Sequence, residues 1–260
     1  MKYALDDPFF VLYAPIDLKK AFIYFKDGYS GASGAQVGAV NNGGGYSAGA
    51  STMTVDGFSA AVTTGDIVTI AGSKASGTNR LTRHKITAHT ESTGATTSIT
   101  FTPALSANVA DNAVITVQPH ELEVKIGQGN LQYTEKRNID YILDRGVIDT
   151  VREGDQVPVE VQLDFVWEFL RASSGQTPTI EDALKQRGEA AGWSSSGADP
   201  CEPYSVDIEI WYNPPCSGVE DEVIYLAEYR WEQLDHDIRN SQVSTSGKCN
   251  ITEATVSRLS

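Results

Sequence analysis

The chain has few residues suited to covalent or metal chemistry. Of its 260 residues, three are cysteine and four are histidine. Cys201, Cys216 and Cys249 cannot all pair within one chain, and their spacings match no zinc module. Cys201 and Cys216 flank an expected strand, Tyr204 to Tyr212, about 26 Å long, whereas a disulfide needs Cα atoms within about 7 Å. Free or buried thiols are expected, with Cys249 in phase with Val243, Thr245 and Ile251 as a small inward-facing residue. His84, His89, His120 and His236 are dispersed, without H-E-x-x-H or other ligand spacing. No G-x-S-x-G or Walker sequence occurs, and Gly127-Gln-Gly129 leads into a strand-like run, which makes it a hairpin turn and no phosphate cradle. Asp164 with Glu168, and Asp207 with Glu209, could form glycosidase pairs, but same-face carboxylates on a strand are ordinarily its solvated side. The expectation is a protein that is not an enzyme and needs no metal or cofactor.

Long apolar runs are missing as well. None approaches the roughly 20 residues that a membrane span needs, and Asp6 and Asp7 stand where a secretory signal would be apolar. Basic residues are scarce, with 20 Lys and Arg against 34 Asp and Glu and a net charge of −14. That sign disfavours capture of nucleic acid, which gains affinity by neutralising phosphates. The imbalance is local: residues 1–120 carry 8 acidic and 8 basic side chains, and residues 121–260 carry 26 and 12.

What is present is β patterning. Residues 1–29 contain Lys20-Ala-Phe-Ile-Tyr-Phe-Lys26, a short apolar run bounded by charges that reads as a strand ended by Asp27-Gly28. Residues 30–50 are nearly all Gly, Ala, Ser, Asn and Val, a composition expected of a flexible linker. From 51 to 118, short Thr-, Val- and Ile-rich runs (52–55, 66–70, 84–88, 97–101 and 113–117) alternate with turns, which predicts an inserted small β-sandwich or barrel. Glu121 to Ile126 then resumes as a strand able to pair with Ala21 to Phe25 once the insert loops out. In 119–260 the run Val157 to Phe169 places Val157, Val159, Val161, Leu163, Phe165, Trp167 and Phe169 on one face and Glu160, Gln162, Asp164 and Glu168 on the other. Val206, Ile208, Ile210 and Tyr212 oppose Asp207, Glu209 and Trp211 in the same way. Further strands are predicted at 222–232 and 242–251. One helix interrupts them, capped by Thr179 with Asp182 in a capping box and ended by Gly188 or Gly192. Between the expected strands 130–135 and 157–169 lies a charged excursion, 136–155, several-fold longer than a usual hairpin loop.

The ordered blocks Val124-Lys-Ile-Gly-Gln-Gly-Asn-Leu-Gln-Tyr-Thr-Glu-Lys-Arg137, Tyr141-Ile-Leu-Asp-Arg-Gly146, Val151-Arg-Glu-Gly-Asp155, Pro158-Val-Glu-Val161, Phe165-Val-Trp-Glu168, Asp199-Pro-Cys-Glu-Pro-Tyr204, Arg230-Trp-Glu-Gln-Leu-Asp-His-Asp237 and Ser246-Gly-Lys-Cys-Asn-Ile-Thr-Glu-Ala254 resemble tail tube proteins of long-tailed bacteriophages. The resemblance covers roughly 120–258 plus the first strand. Residues 45–118 look like small β-barrel insertions of virion proteins. The family implies a mainly β fold, two packed antiparallel sheets with one helix, here with the inserted barrel on the tube exterior. It implies rings, usually hexameric, stacked into a tube through which double-stranded DNA leaves the capsid, in a virion tail assembled in the host cytoplasm. The implied partners are other copies of the chain, the tape measure, terminator and distal tail proteins, and passing DNA that is not specifically bound, with no membrane. In position the excursion matches the loop that touches the adjacent ring, so Lys136, Arg137, Asp140, Asp144, Arg145, Asp149, Arg152, Glu153 and Asp155 are the expected stacking residues. From strand alternation, Glu160, Asp164, Glu168, Asp207 and Glu209 are the expected lumen-lining carboxylates, with an exterior placement of these residues as the competing reading. The alternatives are a glycan-binding or host-adhesion module of a virion surface, which the two aromatics of 51–118, Phe58 and Phe101, disfavour, and another tail ring protein such as a terminator.

Overall fold

The computed structural model describes residues 21–32, 34–75, 78–124, 130–166, 178–214 and 220–259. In chain order its strands are β1 (Ala21–Lys26), β2 (Val37–Val40), β3 (Thr52–Asp56), β4 (Ile67–Ile70), β5 (His84–Ser92), β6 (Ala95–Thr102), β7 (Val114–Gln118) and β8 (Glu121–Val124). They continue as β9 (Leu131–Thr134), β10 (Ile139–Asp144), β11 (Val147–Glu153), β12 (Val159–Val166), β13 (Val206–Tyr212), β14 (Asp221–Asp237), β15 (Gln242–Cys249) and β16 (Thr255–Leu259). One helix, α1 (Ile180–Lys185), precedes β13. The chain is mainly β, with antiparallel sheets and a closed barrel, as its alternation predicts.

An eight-stranded sheet runs β8-β1-β13-β14-β15-β12-β9, with β16 also on β14. β14 serves two sets of neighbours: its first part, through Tyr229, pairs with β13, and Tyr229 to Asp237 pairs with β15. At the changeover the register slips opposite Asp207, and Glu228 takes a left-handed φ of 53°. Asp207 Oδ1 accepts from Glu228 N at 2.8 Å, and its other oxygen accepts from the Tyr225 hydroxyl, which secures the bulge. The sheet thereby folds into two leaves around one core. Ile23, Phe25, Val206, Ile208 and Ile210 come from one leaf and Val159, Val161, Leu163, Phe165 and Val243 from the other. The two expected layers are thus halves of one bent sheet.

α1 closes the core with Ala183 and Leu184. Thr179 Oγ1 accepts from Asp182 N, and Asp182 accepts from Thr179 N, both at 3.1 Å, completing the expected capping box. The helix stops at Gln186 (φ 50°), before the glycines expected to end it, and a single 3-10 turn, Gly188–Ala190, follows.

β1 and β8 pair antiparallel, Ile23 with Val124 and Lys26 with Glu121, and the barrel is the excursion between them. Its strands close in the order β2-β3-β6-β5-β4-β7, with β7 paired back to β2. Here the expected linker is corrected. Within 30–50, Val37–Val40 is a barrel strand, Val40 is buried, and Gln36 is wholly enclosed. So little apolar surface suffices because Phe58 fills the space: a Cβ on Gly38 would lie 2.4 Å from its ring. Asp27 ties both chain crossings to the sheet body, accepting from His120 N and Nδ1 at 2.8 Å, Tyr29 N at 3.1 Å and Ser194 N at 3.0 Å.

Candidate assembly surface

The excursion 136–155 is a hairpin. β10 and β11 form a two-stranded sheet of their own. Asp144 pairs with Val147 across Arg145 and Gly146, whose φ values of 49° and 84° are those of a two-residue hairpin turn. The register shifts once, between Ile142 and Leu143, leaving Asp149 unpaired. Counting alternation through that bulge puts Ile139, Tyr141, Leu143, Ile148 and Val151 on one face, with Glu153 opposite Ile139 at its root. The other face is mixed, with Asp140, Ile142, Asp144, Val147, Thr150 and Arg152. The apolar face is open to solvent, from 44% exposure at Ile139 to 59% at Tyr141 and Leu143. A lone two-stranded hairpin is at best marginally stable in water. Covering these five half-exposed side chains would contribute about 1 kcal/mol each.

The charged residues expected to carry stacking divide into two groups. Lys136 and Arg137 sit at the root, where Lys136 Nζ is 2.6 Å from Glu160 Oε2 and Arg137 pairs with Glu253. Gly154 N also donates to Asn138 O at 2.8 Å, and Ala254 N to Glu135 Oε1 at 2.8 Å, so the root is tied to the main sheet and to the loop before β16. Asp140, Asp144, Arg145, Asp149, Arg152 and Glu153 are exposed on the projecting part, and Asp155 is exposed just after it. The apolar residues among them were the missed signal. Ile139, Tyr141 and Leu143 alternate before the turn residues Arg145-Gly146, the pattern of a hairpin strand.

The expected lumen carboxylates do not share a face. Glu160 and Asp164 lie on the outer face of β12, with Lys248 and Ser244 as cross-strand neighbours on β15 and Thr134 beside Glu160 on β9. Gln162 lies between them, beside Ser246 and Gln132. The hydrogen bond from Lys136 holds the Glu160 carboxyl below its usual pKa. Asp207 and Glu209 belong to the opposite leaf. Because the leaves pack core to core, their outer faces look in opposite directions, so the two sets cannot line one channel. Asp207 is committed to the β14 bulge, and Glu209 is 7% exposed and paired with Lys26 beneath the barrel. β13, expected to be half solvated, is therefore buried on both faces from Ile208 to Tyr212. Glu168, like Trp167, Phe169, Cys216 and the turn at 127–129, lies outside the described residues.

Cys201 is an exposed free thiol, and Cys249 is buried, its pKa pushed up to about 12 by that burial. Among the described residues, no group of three or more His, Cys, Asp or Glu side chains is placed to hold a metal ion. Comparison of the chain with protein-family models, curated proteins and solved structures finds no match.

Proposed function

We propose that the protein is a self-assembling structural subunit, the tail tube protein of a long-tailed bacteriophage, whose rings stack through the projecting hairpin. The observation that carries this reading is the uncovered apolar face of Ile139, Tyr141, Leu143, Ile148 and Val151 on a hairpin that pairs with no other strand among the described residues. Such a face is a liability on a monomer and an asset in a polymer. The hairpin occupies the position of the inter-ring loop in the family the sequence resembles. β8 and β9 are the outer strands of the sheet among the described residues, and such edges suit joining sheets around a ring. A contact that closes within the ring and repeats along the axis yields a tube. The outer face of β12 and β15, carrying Glu160, Gln162, Asp164, Ser244 and Ser246, supplies a polar, partly acidic lumen along which a duplex passes without adhering.

Sedimentation velocity and negative-stain microscopy of the purified protein test the proposal. Wild type forms rings or tubes as concentration rises, and Leu143→Asp with Ile148→Asp remains monomeric with an unchanged circular dichroism spectrum. A wild type that is monomeric at every concentration, or a double variant that polymerises equally well, overturns it.

A further inference from the structure

We propose that the junction between barrel and sheet binds a small oxyanion that carries its own hydrogen-bond donor: hydrogen phosphate. This inference is independent of the assembly reading. A cavity of about 390 Å³ lies between the two bodies, with Lys74, Arg80 and Arg83 on the barrel side and Lys26 and Glu209 on the sheet side. Four cations and one carboxylate on one wall are unusual in a chain with 20 basic and 34 acidic residues.

Arg83 also donates to Gln118 and Arg80 lies over the Tyr24 ring, but among the described residues the carboxylates beside these cations are fewer than the cations. Glu121, just behind the wall, is shared by Arg80 at 2.8 Å and Arg83 at 3.1 Å. Glu209 takes the Lys26 ammonium on Oε2, while its Oε1 stands 4.0 Å from Arg80. Two carboxylates thus serve three cations whose side chains are between 9% and 15% exposed. Asp221 is engaged by Asn79 N and Trp211 Nε1, each at 2.9 Å. Nε of both arginines is buried without a partner, and so is Glu209 Oε1. Burial holds Lys26 and Arg83 below their usual pKa values, and a neighbouring arginine adds to the shift of each.

An oxyanion supplies the missing acceptors, and guanidinium groups suit its geometry. Glu209 Oε1 selects among such ions. A P–OH donates to it, whereas fully ionised sulfate meets it with repulsion. Lys74 is exposed at the mouth, its ammonium 3.2 Å from Asn79 Oδ1, and is free to swing onto an incoming ion. Because the wall comes from both bodies, the bound anion staples the barrel to the sheet.

The test is thermal unfolding and calorimetric titration of the full chain in inorganic phosphate, sodium sulfate and sodium chloride at matched ionic strength. Low-millimolar phosphate raises the unfolding midpoint saturably, and sulfate binds at least about tenfold more weakly, the loss of one charge-assisted hydrogen bond. Lys74→Ala weakens phosphate binding several-fold and leaves the ligand-free midpoint unchanged, Arg83→Gln abolishes binding, and Glu209→Gln narrows the gap between phosphate and sulfate. A phosphate response equal to that of chloride or sulfate overturns the proposal, and so does phosphate affinity unchanged in Lys74→Ala.

Discussion

His84 shows what one buried side chain can impose on a whole element. It is wholly enclosed in the barrel, with Nε2 3.0 Å from Ser73 Oγ and Nδ1 2.7 Å from the Pro103 carbonyl, and it meets Phe101 edge-on. The carbonyl can only accept, so Nδ1 carries the proton of a neutral ring. Burial holds its pKa below the usual 6.5 despite the opposing pull of that carbonyl. The unfolded chain therefore protonates first as pH falls. The stability contributed by the neutral ring is complete above about pH 6.5 and is lost as pH drops toward the folded pKa. Urea unfolding of the barrel at pH 7.5 and 5.5 should show this loss in wild type and a smaller one in His84→Gln. Alternation puts His84 in phase with the buried Ile86, but a polar side chain at the start of a Thr-rich run gives no sign by itself that it is enclosed. Glu209 was hidden in the same way, since alternation assigns it to a solvated face and the barrel that covers it comes from elsewhere in the chain.

At the scale of elements, sequence was informative wherever an element is built from its own residues. α1 follows from Thr179 and Asp182, β12 from its four inward apolar residues, and the β1–β8 pairing from two short apolar runs on either side of an insert. It was least informative where an element depends on a partner. β2 has one large apolar side chain facing inward, Val40, and becomes a strand because Phe58, β3 and β7 enclose it. The bend in β14 is another such case, because its cause is the Asp207 carboxylate on a neighbouring strand. Asp207→Ala leaves Glu228 N and the Tyr225 hydroxyl without their acceptor. The expected cost is about 1–3 kcal/mol, the usual penalty for stranding buried donors, read as a lower urea midpoint at an unchanged m-value. An unaltered midpoint would mean that water replaces the carboxylate at no cost.

For the whole molecule, the acidic surplus of residues 121–260 is dispersed over opposite faces. Within the assembly reading, Glu160 and Asp164 are what remains of the lumen set, and Lys136 and Lys248 stand beside Glu160. At physiological salt the Debye length is about 8 Å, so such a face repels a duplex only on close approach. Assembled tubes of Gln162→Lys with Asp164→Lys should therefore retain short duplex DNA in co-sedimentation, increasingly as salt is lowered, whereas wild-type tubes retain none. Retention by wild type at equal salt would overturn a passive conduit.

Residues a few positions apart were enough to set the β class, the inserted barrel with its approximate end, the capped helix and the inward face of β12. Contacts between distant segments set which carboxylates share a face, that the sheet is one bent surface, that 136–155 projects an apolar hairpin face, and that cations converge beneath the barrel. Each of those depends on where a distant segment lies, and burial and charge pairing are properties of that placement.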